Sequence, residues 1–258
     1  DNNKIAQIHP DIVNLSSSLE QLRVENNELD NIDKSLAECT SLTVLNLSTN
    51  KIPSLPSEFG LLKNLYKLSV NHNKLVELPE DIGGLEALEY CWFDNNLLTR
   101  LPESFGLLTR LVELYLDNNH LHQLCSSFSS LTSLRELYLH NNRFGQPQQN
   151  KVGDVLVEAQ GIPQEVTSLV NLAVLSVAGN HLVPDMLPQT SSRLTNLTEL
   201  WLQNNNFEEL PACVCDIPNL RYTLLDWSTD ATTTTTKHFG KVAFPEEMKQ
   251  RGPGKSKR

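Results

Sequence analysis

The sequence predicts a solenoid, a stack of similar units of about 23 residues, and three observations support this prediction. First, the frame L-x-x-L-x-L-x-x-N-x-L occurs in eight copies that stay in phase, with other apolar residues in some Leu positions. Second, every copy keeps its Asn. Third, a unit of this size cannot bury its apolar side alone, whereas stacking gives each Leu a neighbour on both sides.

The copies of the frame follow one another almost without interruption. They begin at Leu19, Leu42, Leu65, Leu88, Leu111, Leu134, Leu172 and Leu197. Successive starts are 23 residues apart five times, then 38 and 25, and a further 23 leads to Leu220. The Asn column comprises Asn27, Asn50, Asn73, Asn96, Asn119, Asn142, Asn180 and Asn205, with Asn3 in an opening half-repeat. Because Asn can hydrogen-bond nearby backbone, we expect this column to satisfy backbone groups where the chain leaves the repeated segment.

The segment after the Asn carries a second pattern, L-P-x-x-F-x-x-L. It appears as "LPSEFGLL" at 55–62, "LPEDIGGL" at 78–85 and "LPESFGLL" at 101–108. Together the two patterns resemble the intracellular 23-residue class of leucine-rich repeat proteins, similar to Ras-pathway scaffolds and plant Ras-group-related proteins. The resemblance covers roughly residues 3–220.

The resemblance implies an α/β horseshoe with a parallel β-sheet on its concave face and irregular or 3₁₀ segments on its convex side. Each repeat then contributes one short strand. Because side chains alternate along a strand, Leu114 and Leu116 should point inward and Tyr115 outward.

The expected domain organisation is one solenoid over 1–220, a C-terminal cap over 221–231, and a Thr-rich linker and basic tail over 232–258. Trp227 should cover the last repeat, and the linker and tail should be disordered. An insertion at 145–161 should bulge from the return segment without breaking the sheet, either as a tolerated loop or as a partner contact. Because the chain starts in mid-repeat, we expect it to be a fragment or a trimmed chain.

The outward strand positions carry the candidate site. Their central column contains Trp92, Tyr115 and Tyr138, which should form an aromatic ridge because neighbouring strands lie about 4.8 Å apart. Small residues at Ser176 and Ala178 should leave a dip before Trp201. The candidate partner-binding residues are Tyr90, Trp92, Asp94, Glu113, Tyr115, Asp117, Glu136, Tyr138, His140, Glu199, Trp201 and Gln203.

Exposed aromatic residues beside carboxylates are typical of protein interfaces, so the partner should be a protein that offers apolar groups together with Lys or Arg. The competing interpretation is that the aromatic residues only stabilise the sheet.

Composition and spacing argue against several other functions. The formal net charge of −10 disfavours general binding to nucleic acid, and no apolar run reaches the length of a membrane span. The five cysteines are odd in number and scattered, so a disulfide framework is not expected. We also find no catalytic or metal-ligating pattern, and therefore predict a non-enzyme without cofactors or bound metal.

The basic tail contains a short motif of its own. "KVAF", with Lys241, Val242 and Phe244, resembles the docking motif of protein phosphatase 1 regulators, so the tail could dock on that phosphatase. Residues 237–258 hold seven Lys or Arg against two Glu, a net charge of +5 that leaves −15 for residues 1–236. The tail could also fold back onto the acidic concave face.

The sequence favours a cytoplasmic interaction scaffold, monomeric alone or part of a larger complex, that acts in signalling. Two alternatives remain open. The chain could be the recognition module of a larger GTPase, kinase, cyclase or ubiquitin ligase, or a structural subunit of a cytoskeletal or ciliary assembly. Repeat folds serve many functions, so the pattern alone does not choose among these.

Overall fold

The computed structural model describes residues 2–149 and 156–225, in which the dominant element is a nine-stranded parallel sheet. Its strands, in their order across the sheet, are β1 (Gln21–Arg23), β2 (Val44–Asn46), β3 (Lys67–Ser69), β4 (Tyr90–Trp92), β5 (Glu113–Tyr115), β6 (Glu136–Tyr138), β9 (Val174–Ser176), β10 (Glu199–Trp201) and β11 (Tyr222–Leu224). The predicted leucine-rich repeat solenoid is therefore confirmed.

The repeat frame sets the register of this sheet. Equivalent frame positions pair across neighbouring strands, so that Leu45 lies opposite Leu68, and Leu68 opposite Cys91. The central residue of each strand points into the core, and Leu68, Leu114 and Leu137 are completely buried. Register is fixed because a slip of one residue would move this apolar set to the solvent side.

The return segments are short 3₁₀ helices rather than α-helices, as predicted. They comprise Pro10–Leu15, Lys34–Glu38, Ser57–Leu61, Ile82–Gly84, Glu103–Leu107, Ser126–Ser130, Gln164–Ser168, Pro184–Met186 and Ser191–Arg193. One α-helical turn, α1 (Ala212–Cys215), follows in the last repeat. The Phe of the L-P-x-x-F pattern is buried in this layer, where the Phe105 and Phe128 rings stack with centroids 6.4 Å apart.

The Asn column forms a ladder of hydrogen bonds that joins the repeats. The amide nitrogen of Asn119 donates to the carbonyl oxygens of Phe93 and Leu116, each at 3.0 Å. Its side-chain oxygen accepts from the backbone N–H of Leu98 at 2.9 Å. Each such Asn therefore satisfies backbone groups in its own repeat and in the preceding one.

A left-handed residue precedes each of these Asn residues. Asn118, for example, has φ 53°, and Gly179 has φ 61° at the equivalent position. This conformation turns the chain out of the strand, and Asn and Gly adopt it at the lowest cost.

The insertion leaves the sheet unbroken, as predicted, because β6 pairs directly with β9. Part of it forms a two-residue antiparallel pair, β7 (Gln148–Gln149) with β8 (Leu156–Val157). The backbone N–H of Gly145 donates to the carbonyl of Gln160 at 2.7 Å and so closes the base of the excursion.

The two ends of the described chain also continue the repeat pattern. Near the start, the backbone N–H of Ile5 donates to the side chain of Asn27 at 3.1 Å, consistent with an opening half-repeat. At the other end, β11 carries the sheet past residue 220, the predicted limit of the solenoid. Trp227, the remainder of the predicted cap and the whole 232–258 tail lie outside the described residues.

Candidate functional site on the concave face

The concave face, defined here as the outward side of β1–β6 and β9–β11, carries a continuous row of stacked rings. Trp92 stacks on Tyr115 with centroids 6.1 Å apart, and Tyr115 stacks on Tyr138 at 4.4 Å. The strand register brings these three residues directly opposite one another. We call Trp92, Tyr115 and Tyr138 the aromatic ridge.

The ridge continues sideways into an aromatic corner with a lysine. Tyr90 stacks on Trp92 at 6.3 Å, and Tyr66 meets Tyr90 edge to face at 6.5 Å. The Lys67 ammonium lies 5.0 Å from the centre of the Tyr90 ring and 5.4 Å from that of Tyr66. The sequence analysis did not name Tyr66 and Lys67 as site residues. Their positions in the repeat frame, at the start of β3, could have indicated that they lie beside Tyr90.

One flank of the ridge is a pair of glutamates. Glu113 and Glu136 lie opposite each other on β5 and β6, and the Tyr138 hydroxyl donates to Glu136 at 3.0 Å. Burial, together with the nearby charge of Glu136, raises the pKa of Glu113. Burial also raises the pKa of the Tyr115 and Tyr138 phenols, so both remain protonated donors. A cation bound here would relieve the repulsion between the two carboxylates.

The other flank contains two carboxylates and a histidine. The His140 Nε2 atom lies 3.1 Å from Asp117 Oδ2, and both side chains are 9% exposed. These two predicted contact residues are therefore buried and paired with each other, and a partner could touch only their edges. Asp94 is only partly buried, and burial together with the charge of Asp117 raises its pKa.

The third part of the face lies around Ser176, which is 3% exposed, so the predicted open dip is not seen at this residue. Ser176 lies directly between Tyr138 of β6 and Trp201 of β10. No ring of the described residues stacks on Trp201, so Trp201 is not part of the aromatic ridge. Glu199 lies on the same strand as Trp201, and Gln203 follows two residues beyond Trp201.

The structure thus gathers the candidate residues on one face but in two groups. One group is the ridge with its flanks, and the other is Glu199, Trp201 and Gln203 on or just after β10. Within residues 2–149 and 156–225 there is no cluster of three or more His, Cys, Asp or Glu that could hold a metal ion. The described helices include none long and apolar enough to cross a membrane. The tail motif of Lys241, Val242 and Phe244 lies outside the described residues.

Comparison with known families finds the same repeat that the fold shows. A leucine-rich repeat profile matches residues 17–75 and 63–121, and a second leucine-rich repeat profile matches 196–217. None of the curated proteins matches the chain.

Several solved structures share the fold. A leucine-rich repeat protein of Leptospira interrogans is 33% identical with a TM-score of 0.62, and the match covers 86% of this chain and 59% of that one. An internalin of Listeria monocytogenes is 20% identical with a TM-score of 0.70, covering 88% of this chain and 59% of that one. The receptor kinase ectodomain GASSHO1/SCHENGEN3 of Arabidopsis thaliana, solved in complex with CASPARIAN STRIP INTEGRITY FACTOR 2, is 22% identical with a TM-score of 0.59. That match covers 85% of this chain and 31% of the ectodomain.

Proposed function

Because the chain is built from leucine-rich repeats, a fold that typically serves as a binding module, we propose that it is a non-catalytic scaffold that binds a protein partner through its concave face. The observation that carries this proposal is the aromatic ridge between two acidic flanks. The partner offers apolar groups to the rings and Lys or Arg to the carboxylates.

The ridge has the composition and the rigidity of an interface. Its rings are half-buried, and stacking holds each against the next, so little side-chain entropy would be lost on binding. Tyr and Trp are the residues most often found to dominate interface energetics, at about 2 kcal/mol or more for each anchor truncated to Ala. The complex of the Arabidopsis ectodomain shows a protein of this fold with a bound partner.

We further propose that the protein acts inside the cell, in signalling. All five cysteines are free, and four of them are buried. Free thiols are typical of the reducing cytosol, where disulfides are rare.

The test compares two double variants by affinity purification from the native cell and quantitative mass spectrometry. Tyr115→Ala with Tyr138→Ala removes the centre of the ridge. Leu61→Ala with Leu107→Ala removes two exposed apolar side chains from the return segments and serves as the matched control. Loss of one ring anchor at about 2 kcal/mol corresponds to roughly 30-fold weaker binding, so the first variant should lose its partner.

The control variant should keep the same partner at the wild-type level. Urea unfolding of both variants checks that each remains folded. A partner list that is the same for the ridge variant and the wild type would contradict the proposed function and would leave the rings as sheet stabilisers.

A further inference from the structure

The charges on the concave face are divided between its two ends. Among the described strands, the outward residues of β1–β3 include Arg23 and Lys67 and no carboxylate. Those of β4–β6 and β9–β11 include Glu113, Glu136 and Glu199 and no Lys or Arg. A partner that covers this face therefore meets positive charge at one end and negative charge at the other.

Lys67 stands at the boundary between these two ends, and two rings restrict the position of its amine. The ammonium lies 5.0 Å from the centre of the Tyr90 ring and 5.4 Å from that of Tyr66, and the two rings meet edge to face. Cation–π attraction to both rings limits the movement of the amine. Tyr66 is 36% exposed and Lys67 is half-buried, so a ligand can reach the ammonium from the solvent side.

The Lys67 ammonium makes no ion pair within the described residues. Four other cations of the solenoid each pair with a glutamate, namely Lys51, Lys63, Arg100 and Arg110. Glu89, the residue before Tyr90, is bound to Arg110 at 2.7 Å. On its other side, Lys67 lies opposite the uncharged Val44 of β2. The ammonium thus has no carboxylate of its own.

Beyond Tyr90, the next two strands carry Glu113 and Glu136 at the position equivalent to Lys67. Lys67 counteracts the rise in the Glu113 pKa that burial and Glu136 cause, so the two charges are within electrostatic reach without forming an ion pair. At about 4.8 Å per strand, Lys67 and the two glutamates lie about 10–14 Å apart at the backbone.

We propose that Lys67 binds a carboxylate of the protein partner, so that the partner segment crosses the sheet with an acidic residue over β3 and a basic residue over β5 and β6. In an extended segment, residues i and i+4 point the same way and lie about 13 Å apart, which matches the separation of the two charges. Residue i+2 then lies over Tyr90 and should be apolar. This inference rests on the proposed function, because it assigns a contact and an orientation to the same partner.

A carboxylate fits this position better than a phosphate group. Lys67 supplies one positive charge, and the other outward cation of the described strands, Arg23, is two strands away on β1. A phosphorylated side chain carries a charge of about −1.5 to −2, so Lys67 alone would not balance it, and Glu113 and Glu136 would repel it. The acidic residue should therefore be Asp or Glu.

The first experiment titrates the full chain with the peptide acetyl-Glu-Ala-Leu-Ala-Arg-amide and follows the Trp indole N–H signals by NMR. The signal of Trp92, on the strand next to Lys67, should shift with saturation, whereas that of Trp201 should not. A peptide with Gln in place of Glu should bind ~5-fold more weakly, the loss expected for one partly exposed ion pair. A peptide with phosphoserine at that place should bind no more tightly than the Glu peptide. Equal binding of the Glu and Gln peptides, tighter binding of the phosphoserine peptide, or the absence of saturable binding would overturn the proposal.

The matched variants are Lys67→Glu and Lys74→Glu. Both change the charge of the same repeat by the same amount, but Lys74 is exposed and lies beyond the end of β3. Glu already stands at the position equivalent to Lys67 in β5 and β6, so the first variant should fold. It should prefer a peptide with Lys in place of Glu by ~5-fold, whereas Lys74→Glu should keep the wild-type order. The same order in both variants would refute the assignment.

Lys67→Met gives a second route should Lys67→Glu fail to fold. It keeps a side chain of similar length without the charge, so it should bind the Glu and Gln peptides equally. A preference for the Glu peptide that persists in Lys67→Met would count against the proposal.

Two further comparisons identify the source of the carboxylate. In the full chain, Glu246→Gln with Glu247→Gln removes both glutamates of the tail. A ~5-fold gain in peptide affinity in that variant would make the tail itself the occupant and overturn the assignment to a partner. If Lys67→Glu retains, at the wild-type level, a partner that Tyr115→Ala with Tyr138→Ala loses, the Lys67 proposal fails while the proposed function stands. If the ridge variant retains its partner, the proposed function fails, whatever the peptides do.

Discussion

The replacement of Asn119 by Ala tests whether the Asn ladder holds the repeats together. Asn119 is 3% exposed and makes side-chain hydrogen bonds to four backbone groups. Alanine would leave the N–H of Leu98 without its acceptor and the carbonyls of Phe93 and Leu116 without this donor. All of these groups are buried, and water cannot replace the lost bonds without opening the turn.

The expected cost follows from these contacts. An unsatisfied buried backbone group costs about 1–3 kcal/mol, the N–H more reliably than a carbonyl that has a second lone pair. The Leu98 N–H is left without an acceptor, whereas the Phe93 and Leu116 carbonyls each keep a second donor, from Asn96 and Asn142, at 3.0 Å. We therefore expect a loss of about 2–4 kcal/mol in the free energy of unfolding, most of it from the N–H. That is a large part of the 5–15 kcal/mol typical of a folded domain, so the effect should be easy to measure.

The assay is urea unfolding followed by circular dichroism, with Asn64→Ala as the control. Asn64 has the same side chain, but it is exposed and makes one hydrogen bond, to the carbonyl of Thr40 at 2.9 Å. Its loss should cost no more than about 1 kcal/mol. A similar midpoint shift in the two variants, at an unchanged urea dependence, would refute the view that the ladder is a main source of stability.

Two further predictions concern packing and pH. Gly60→Ala should lower the melting temperature, because the added Cβ would overlap the Asp81 carbonyl oxygen, at a cost of about 1–3 kcal/mol. The control is Leu61→Ala, a change at the neighbouring exposed residue, which should have little effect on the melting temperature. Equal shifts in the two variants would contradict this packing argument. Asp94→Asn should raise the melting temperature at about pH 7. Because the Asp94 pKa is raised on folding from 3.8, the wild type is relatively most stable below that value and loses stability as the pH rises through the folded pKa. The gain should therefore vanish at about pH 3, and a gain of equal size at both pH values would contradict the assigned burial cost.

Much of the site could be predicted because the repeat frame fixes which residues point outward. The frame placed Trp92, Tyr115 and Tyr138 in one column, and the structure shows their rings stacked. The role of these residues in binding stays a prediction. The same frame also contained Tyr66, but whether its ring contacts that of Tyr90 depends on side-chain rotamers, which the sequence pattern does not specify.

Other properties of the site depend on contacts between repeats and could not be predicted from spacing. Asp117 and His140 occupy outward positions, yet they pair with each other and are buried, because adjacent repeats bring the His140 ring to within 3.1 Å of the Asp117 carboxylate. In the described part of the chain, Nδ1 of His140 and Oε1 of Gln203 are buried without a hydrogen-bond partner, which also depends on all neighbours being in place.

The sequence by itself determined the repeat, the register of the sheet, the inward apolar core and the Asn column, because each is a local pattern copied at a regular interval. Only the tertiary structure decided which outward side chains stack and which pair and bury one another. These properties arise between repeats, where the distance between two side chains depends on both strands and on the rotamers that their neighbours allow.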